Sequence, residues 1–167
     1  MSDPINPEHS EKIYINADEL LRDSFALALK VIESGFRPDF IVAVWRGGTP
    51  VGIAVQELMK YAGNDDNSVL IVDDVFDRGR SIEAIISELQ RLTRRNLPKD
   101  IRIATVWFKP EKNVTALTPD YYVHETNRWL VFPHELDGLT VDEVRAGKPL
   151  VAELVFAATQ AAGKAAG

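Results

Sequence analysis

The sequence predicts an α/β protein built on a parallel sheet, and three observations carry that prediction. First, four branched apolar residues, Val69–Val72, run straight into two adjacent carboxylates, Asp73 and Asp74, and then into a short loop with Asp77 and Gly79. Second, stretches of helical and strand periodicity alternate along the chain, as they do when helices cover a parallel sheet. Third, Phe40–Trp45 is apolar on both faces, which suits a strand in the interior of a parallel sheet. A buried strand that ends in acids, with the following loop facing a helix N-terminus, suits a phosphorylated sugar held through its hydroxyls and a metal ion.

The elements follow in order. Residues up to about Lys12 read as a tail. Asn16 and Glu19 have capping-box spacing, and Leu20, Leu21, Phe25, Ala28, Leu29 and Ile32 continue at helical period until Gly35. Pro38 and Asp39 lead into the Phe40–Trp45 strand, and Arg46–Gly48 is a loop. Thr49 as N-cap and Pro50 at the first helical position start a second helix. Its apolar face is Ile53, Val55, Leu58 and Met59, and Gly63 ends it. Ser81 caps a third helix with the stripe Ile82, Ile85, Ile86, Leu89 and Leu92; Arg94 and Arg95 suit its C-terminal dipole, and Asn96 and Pro98 close it. Ile101–Phe108 is a further strand, with shorter ones at Tyr121–Val123 and Leu130–Phe132. One domain is expected over residues 1–156, followed by an Ala/Gly-rich tail at 157–167.

At 167 residues the chain is long enough for one real core. It has no Cys, which excludes disulfides, thiolate chemistry and cysteine-based zinc sites. His9, His124 and His134 show no metal-ligand spacing; His9 and His124 read as incidental, and for His134 a structural role outweighs a catalytic one. The first residues are polar and proline-broken, and no apolar run is long enough to cross a membrane, so a cytoplasmic protein with no membrane partner is expected. A net charge of -6 argues against nucleic acid as a partner. Converging backbone amides and a few arginines can still bind an anionic ligand locally.

Adjacent strand residues point to opposite faces, so Asp73 and Asp74 do different work. One can meet a ligand while the other orients water, a metal or a basic group. Two acids at a strand end can grip a ribose diol directly or through magnesium-bound water. The loop Asp77, Arg78, Gly79, Arg80, Ser81 opens a helix, where free N–H groups and the dipole favour phosphate.

The stretch Val69–Ser81 resembles the signature by which type I phosphoribosyltransferases bind 5-phosphoribosyl-1-pyrophosphate (PRPP). The match runs from hydrophobic run through acid pair and spacer to Asp-x-Gly and a small hydroxyl residue; Arg78 stands where the family usually has Thr. Val44–Gly52 resembles the family's pyrophosphate loop, with Arg46, Gly47 and Gly48 as the contact residues and Arg46–Gly47 as the candidate strained peptide bond. Lys109 and the stretch Trp129–Glu135 resemble the base-binding part of 6-oxopurine members. The resemblance covers roughly Phe40 to Glu135 and implies a Rossmann-like type I core with a small C-terminal hood. It implies that Asp73, Asp74, Asp77, Arg78, Gly79, Arg80 and Ser81 hold PRPP and that Asp77 handles the base's proton. Lys109 would bond the purine O6, Trp129 would stack on the ring, Leu130 would offer backbone groups, and Glu135 would join Asp73 and Asp74 near Mg2+. A homodimer or homotetramer is implied as well.

The first functional reading is therefore purine salvage: hypoxanthine, guanine or xanthine plus PRPP gives a nucleoside monophosphate and pyrophosphate. The second is a PRPP- or nucleotide-sensing regulator on the same fold. Arg78 favours it, and so does the short link Tyr61–Ser68, where the family normally has a further strand and a closing loop. The third, a phosphoacceptor receiver domain, fits poorly, since two helices and a full strand precede the acid pair and Lys109 arrives too soon.

Overall fold

The computed structural model describes residues 12–60, 68–93 and 98–156. The readings placed on Gly63, Arg94, Arg95, Asn96, His9 and the two tails lie outside the described residues, apart from Lys12. In chain order the elements are β1 (Ile13–Tyr14), α1 (Ala17–Glu33), β2 (Phe40–Ala43), α2 (Gly48–Met59), β3 (Ser68–Phe76), α3 (Arg80–Thr93), β4 (Asp100–Phe108), a single 3-10 turn (Pro110–Lys112), β5 (Tyr121–Glu125), β6 (Leu130–Val131) and α4 (Val141–Gly147). Residues 149–156 are helical too. Among the described residues no helix is long and apolar enough to cross a membrane.

β2, β3, β4 and β5 form a parallel sheet in that order. The predicted parallel α/β architecture is thus the observed one. Alternation along the strands sorts the core into two layers. Leu70, Val72, Ala104 and Val106 meet α1 and α2 on one face through Leu27, Val31, Val51 and Val55. Val69, Ile71 and Ile103 meet Ile82 of α3 on the other, where Phe76 packs edge-on against Phe108. β1 and β6 make a separate parallel pair, with Ile13 opposite Leu130. This pair belongs to the expected small hood; its Leu130 strand was expected, but its partner Ile13–Tyr14, just after the stretch read as a tail, was not.

The helices change faces between β2 and β3, which makes that point the switch of the sheet, where α/β proteins place their ligands. It has a topological consequence. The crossovers β2-α2-β3 and β3-α3-β4 step the same way across the sheet on opposite faces, so they have opposite hands, although such crossovers are nearly always right-handed. A helix on the α2 face is what an outward crossover to a further strand beyond β2 requires; no such strand is among the described residues.

Several local expectations shift. β2 is an edge strand of the described sheet rather than an interior one, and Phe40 is 67% exposed. Among the described residues no strand covers its outer side. The α1 capping box is present, with Glu19 N donating to Asn16 Oδ1 (2.8 Å) and Asn16 N to Glu19 Oε2 (3.0 Å). Its buried stripe is Leu20, Asp23, Ser24, Leu27, Ala28 and Val31, whereas the expected core residues Leu21, Phe25 and Leu29 are exposed. Asp23 is tolerated inside because its Oδ2 lies 2.8 Å from His124 Nε2 on β5, and Ser24 Oγ donates to Leu20 O. His124 is therefore a structural partner rather than incidental. On α2, Ile53 faces out, while Val51, Ala54, Val55 and Met59 face in. Gly47 precedes α2 and puts Thr49 and Pro50 in its first turn instead of at its start. α3 begins at Arg80, so Ser81 lies within its first turn rather than capping it, and Leu92 is exposed.

Candidate active site

Two loops meet at the carboxyl ends of β2 and β3. β3 continues to Phe76, so Asp73 and Asp74 sit inside the strand rather than at its end, and Lys109 N donates to Phe76 O (2.9 Å) to extend the pairing. Asp74 is buried. Asp74 N donates to Asp73 Oδ1 (3.0 Å) and Val75 N to Asp74 Oδ1 (2.9 Å). Burial is the main reason that both carboxyls are held above the usual carboxylate range; Asp73, with the charge of Asp74 added, is pushed up to about 8.

The loop after β2 packs directly on this pair. A Cβ on Gly47 would lie 2.0 Å from Asp74 Oδ2, and one on Gly48 would lie 2.5 Å from Val72 O. Gly48 also donates its backbone N–H to the Asp73 carboxyl. The loop and the acids therefore form one unit that only glycine permits. The cis peptide is Trp45–Arg46, one bond before the one expected from sequence. Trp45 is 81% exposed at the rim.

On the other side, Gly79 has φ +78 and is pressed against Phe76 and Thr115, which fixes the turn from β3 into α3. Val114 N donates to Arg78 O (3.2 Å), tying the loop after β4 to the same turn. Arg78, Arg80 and Ser81 are exposed along the cleft.

The cleft has two chambers. The first, about 420 Å³, is lined by Arg46, Gly47, Asp73, Asp74, Asp77, Arg78, Gly79, Arg80 and Ser81, among others. Gly48 stands behind its wall. The second, about 450 Å³, is lined by Lys109, Trp129, Leu130, Phe132 and Gly138, among others. Arg46, Val75, Asp77, His134 and Glu135 line both. Every residue that the sequence reading placed in a site therefore lies in this cleft or directly behind its wall.

Asp77 stands at the seam. Its Oδ2 is 3.9 Å from Lys109 Nζ, and its buried Oδ1 has no hydrogen-bond partner. Burial pulls the Lys109 ammonium below the ordinary lysine value, opposed by the charge of Asp77. Trp129 is half exposed, with Lys12 Nζ 5.6 Å from its ring centroid. Lys12 in turn bonds Glu143 of α4 (2.6 Å), so it belongs to the hood rather than to a tail.

Sequence reasoning missed two residues. His134 Nε2 lies 3.6 Å from Asp74 Oδ2, and its ring stacks on Phe132. Lys148, 8% exposed, donates to three main-chain carbonyls of the hood turn. His134 lies within the Trp129–Glu135 stretch, but nothing local records its contact with Asp74, and no pattern in the sequence marks Lys148.

Fold and site together define a doubly wound α/β protein with a cleft at its switch point, walled by an acid pair, glycine loops and arginines. A sequence profile of the phosphoribosyl transferase domain matches residues 54–137. The chain is 27% identical over 150 residues to a xanthine-guanine phosphoribosyltransferase of Desulfotalea psychrophila, covering 74% of this chain and 86% of that one. It is 27% identical over 111 residues to a hypoxanthine-guanine phosphoribosyltransferase of Streptococcus mutans, covering 65% of this chain and 59% of that one. A crystal structure of a purine phosphoribosyltransferase from Pyrococcus horikoshii superposes with a TM-score of 0.64 at 30% identity, covering 78% of this chain and 97% of that one. The chain belongs to the phosphoribosyl transferase domain family, with the type I fold.

Proposed function

We infer that the protein transfers the 5-phosphoribosyl group of PRPP to a 6-oxopurine base and releases pyrophosphate. The observation that carries this reading is the shared seam. A chamber walled by the acid pair, two glycine loops and three arginines opens, through Asp77, onto a chamber walled by Lys109 and Trp129. The first suits a phosphorylated sugar and the second a flat base with an oxo group. The purine names of the similar proteins agree with it.

In this reading the 5′-phosphate lies at the α3 N-terminus, on the backbone of Arg78–Ser81, where free N–H groups point outward. Arg78 adds charge where the family has a hydroxyl. The ribose hydroxyls meet Asp73 and Asp74, and the pyrophosphate lies along Arg46–Gly48. Lys109 donates to the purine O6, Trp129 covers the ring face and the Leu130 backbone meets its edge. As the bond from C1′ to the pyrophosphate oxygen breaks, positive charge grows on the sugar and the base nitrogen bonds C1′. Asp77 then holds the proton that the base loses.

Among the described residues no three His, Asp or Glu side chains converge as a ready-made metal site. The donor set still fits Mg2+ brought in by its substrate. Two adjacent carboxyls, Asp74 buried and Asp73 half-buried, held above their ordinary range gain by facing a hard cation. Asp73, Asp74 and Glu135 would hold the ion or its waters, and it would supply positive charge beside the departing pyrophosphate.

The test is incubation with PRPP, Mg2+ and, in turn, hypoxanthine, guanine and xanthine, with pyrophosphate release as the readout. Release with at least one base is expected. Tight PRPP binding without release for any of them would overturn the transferase reading in favour of a sensor.

A further inference from the structure

The hood turn is held from behind by a buried cation that none of the chemistry above uses. Lys148 follows the last residue of α4 and is 8% exposed. Its Nζ donates to Phe132 O, to Pro133 O (3.1 Å) and to Glu135 O (2.5 Å). An ammonium has three N–H bonds, and here each has a carbonyl acceptor. A buried ammonium is costly unless fully hydrogen-bonded, and an apolar side chain of the same length would fill the space more cheaply.

The stretch it clamps is four residues long. Phe132, His134 and Glu135 from it line the base chamber, and His134 and Glu135 also line the sugar-phosphate chamber. The turn is closed by Glu135 N donating to Phe132 O (3.1 Å) and Phe132 N to Glu135 Oε2 (3.2 Å). α4 is anchored independently. Its N-terminus has the Thr140–Glu143 capping box, Glu143 bonds Lys12, and Gly147 lies so close to Tyr14 of β1 that a Cβ would be 2.2 Å from the ring. The clamp is thus mounted on an element fixed from the other side of the hood.

We propose that Lys148 is a positioning residue for the base half of the site, its ammonium fixing the Phe132–Glu135 turn so that His134 and Glu135 stand at the seam between the two chambers. This rests on the phosphoribosyl-transfer reading for its substrate, a 6-oxopurine, but the clamp can be judged without turnover.

The experiment compares full-length wild type with Lys148→Met and Lys148→Gln. Three quantities are read: the kcat and KM for the base that wild type uses, the Kd for Mg-PRPP by calorimetry, and amide hydrogen exchange across residues 130–137. For Lys148→Met the base KM should rise tenfold or more and exchange at 132–135 should quicken tenfold or more, while the Mg-PRPP Kd rises several-fold less than the base KM, since of the turn only His134 and Glu135 reach the sugar-phosphate chamber. Lys148→Gln, one atom shorter but keeping two N–H donors, should fall between. If Lys148→Met does not fold, Lys148→Gln carries the same comparison at reduced size. Base KM and exchange both within twofold of wild type would overturn the proposal. So would an equal loss of base and PRPP affinity, which marks general loosening. If wild type turns over no oxopurine, the transfer reading fails, and exchange at 132–135 alone decides the clamp.

Discussion

Gly47 lies against the Asp74 carboxylate so closely that a methyl group there would sit 2.0 Å from Oδ2. Asp74 cannot yield cheaply, because it is buried and its Oδ1 accepts from Val75 N. The acid pair and the Arg46–Gly48 loop therefore move as one body. Gly47→Ala should push the loop off the pair and lower PRPP affinity by roughly two orders of magnitude, about the effect of a 1 Å misplacement in a pre-organised site. Calorimetry with Mg-PRPP measures it, and affinity within threefold of wild type would show that the close approach is dispensable.

The same pair sets a pH dependence. The folded state holds the Asp73 carboxyl at about 8, against 3.8 for the free group. A raised carboxyl contributes stability that is full below about pH 4 and is lost as pH rises through about 8. Without metal or PRPP, the protein should thus resist heat less at pH 8.5 than at pH 5 on account of this pair. Asp73→Asn removes the buried charge and should raise Tm by about 5 °C at pH 8.5, on the order of 2 kcal/mol, with little change at pH 5. The same variant should lose PRPP binding. A variant no more heat-resistant than wild type at pH 8.5 would contradict this account of the pair.

Asp77 and Lys109 face each other across the seam at 3.9 Å, and their roles separate kinetically. Asp77→Asn keeps the shape and removes the proton acceptor, so kcat should fall about 10²- to 10⁴-fold with base KM nearly unchanged. Lys109→Met keeps the stem and removes the donor to O6. Base KM should then rise tenfold or more while the PRPP Kd stays put, because a site built to hydrogen-bond an oxo group discriminates through that bond. Steady-state kinetics with PRPP saturating separates the two patterns. The same pattern for both variants would mean that Asp77 acts on the base only by holding Lys109.

The site was legible where the chain spells it locally. Val69–Val72 running into Asp73, the glycines of Arg46–Gly48 and the Asp77–Ser81 loop are contiguous stretches; periodicity sets the strand before the acids, and the family resemblance brings the two loops to it. What was not legible depends on distant partners. Helix α1 offers two apolar stripes, and the reading mixed Leu20 and Ala28 of the buried one with Leu21, Phe25 and Leu29 of the exposed one. The true inner stripe contains Asp23, which looks wrong until His124, on β5, supplies its partner. Ile13 pairs with Leu130 across the hood, and Lys148 meets a turn far behind it in sequence; neither relation leaves a pattern in either segment. β2 is at the edge of the described sheet, and a strand's own residues do not record which neighbours it meets.

Trp129 gives the last test, because its surroundings separate a binding role from a packing one. The ring is 49% exposed, with Lys12 Nζ 5.6 Å from its centroid and a Cβ on Gly138 only 3.6 Å from Cζ2. A core tryptophan would be covered, and its removal would cost several kcal/mol. Here Trp129→Ala should change Tm by only a few degrees, yet raise the base KM about tenfold, the scale of an aromatic stacking loss. Trp129→Phe, which keeps a flat face of smaller area, should stay within about threefold of wild type. Thermal unfolding and steady-state kinetics on both variants decide the matter. A large fall in Tm with unchanged base KM would assign Trp129 to the packing of the hood instead.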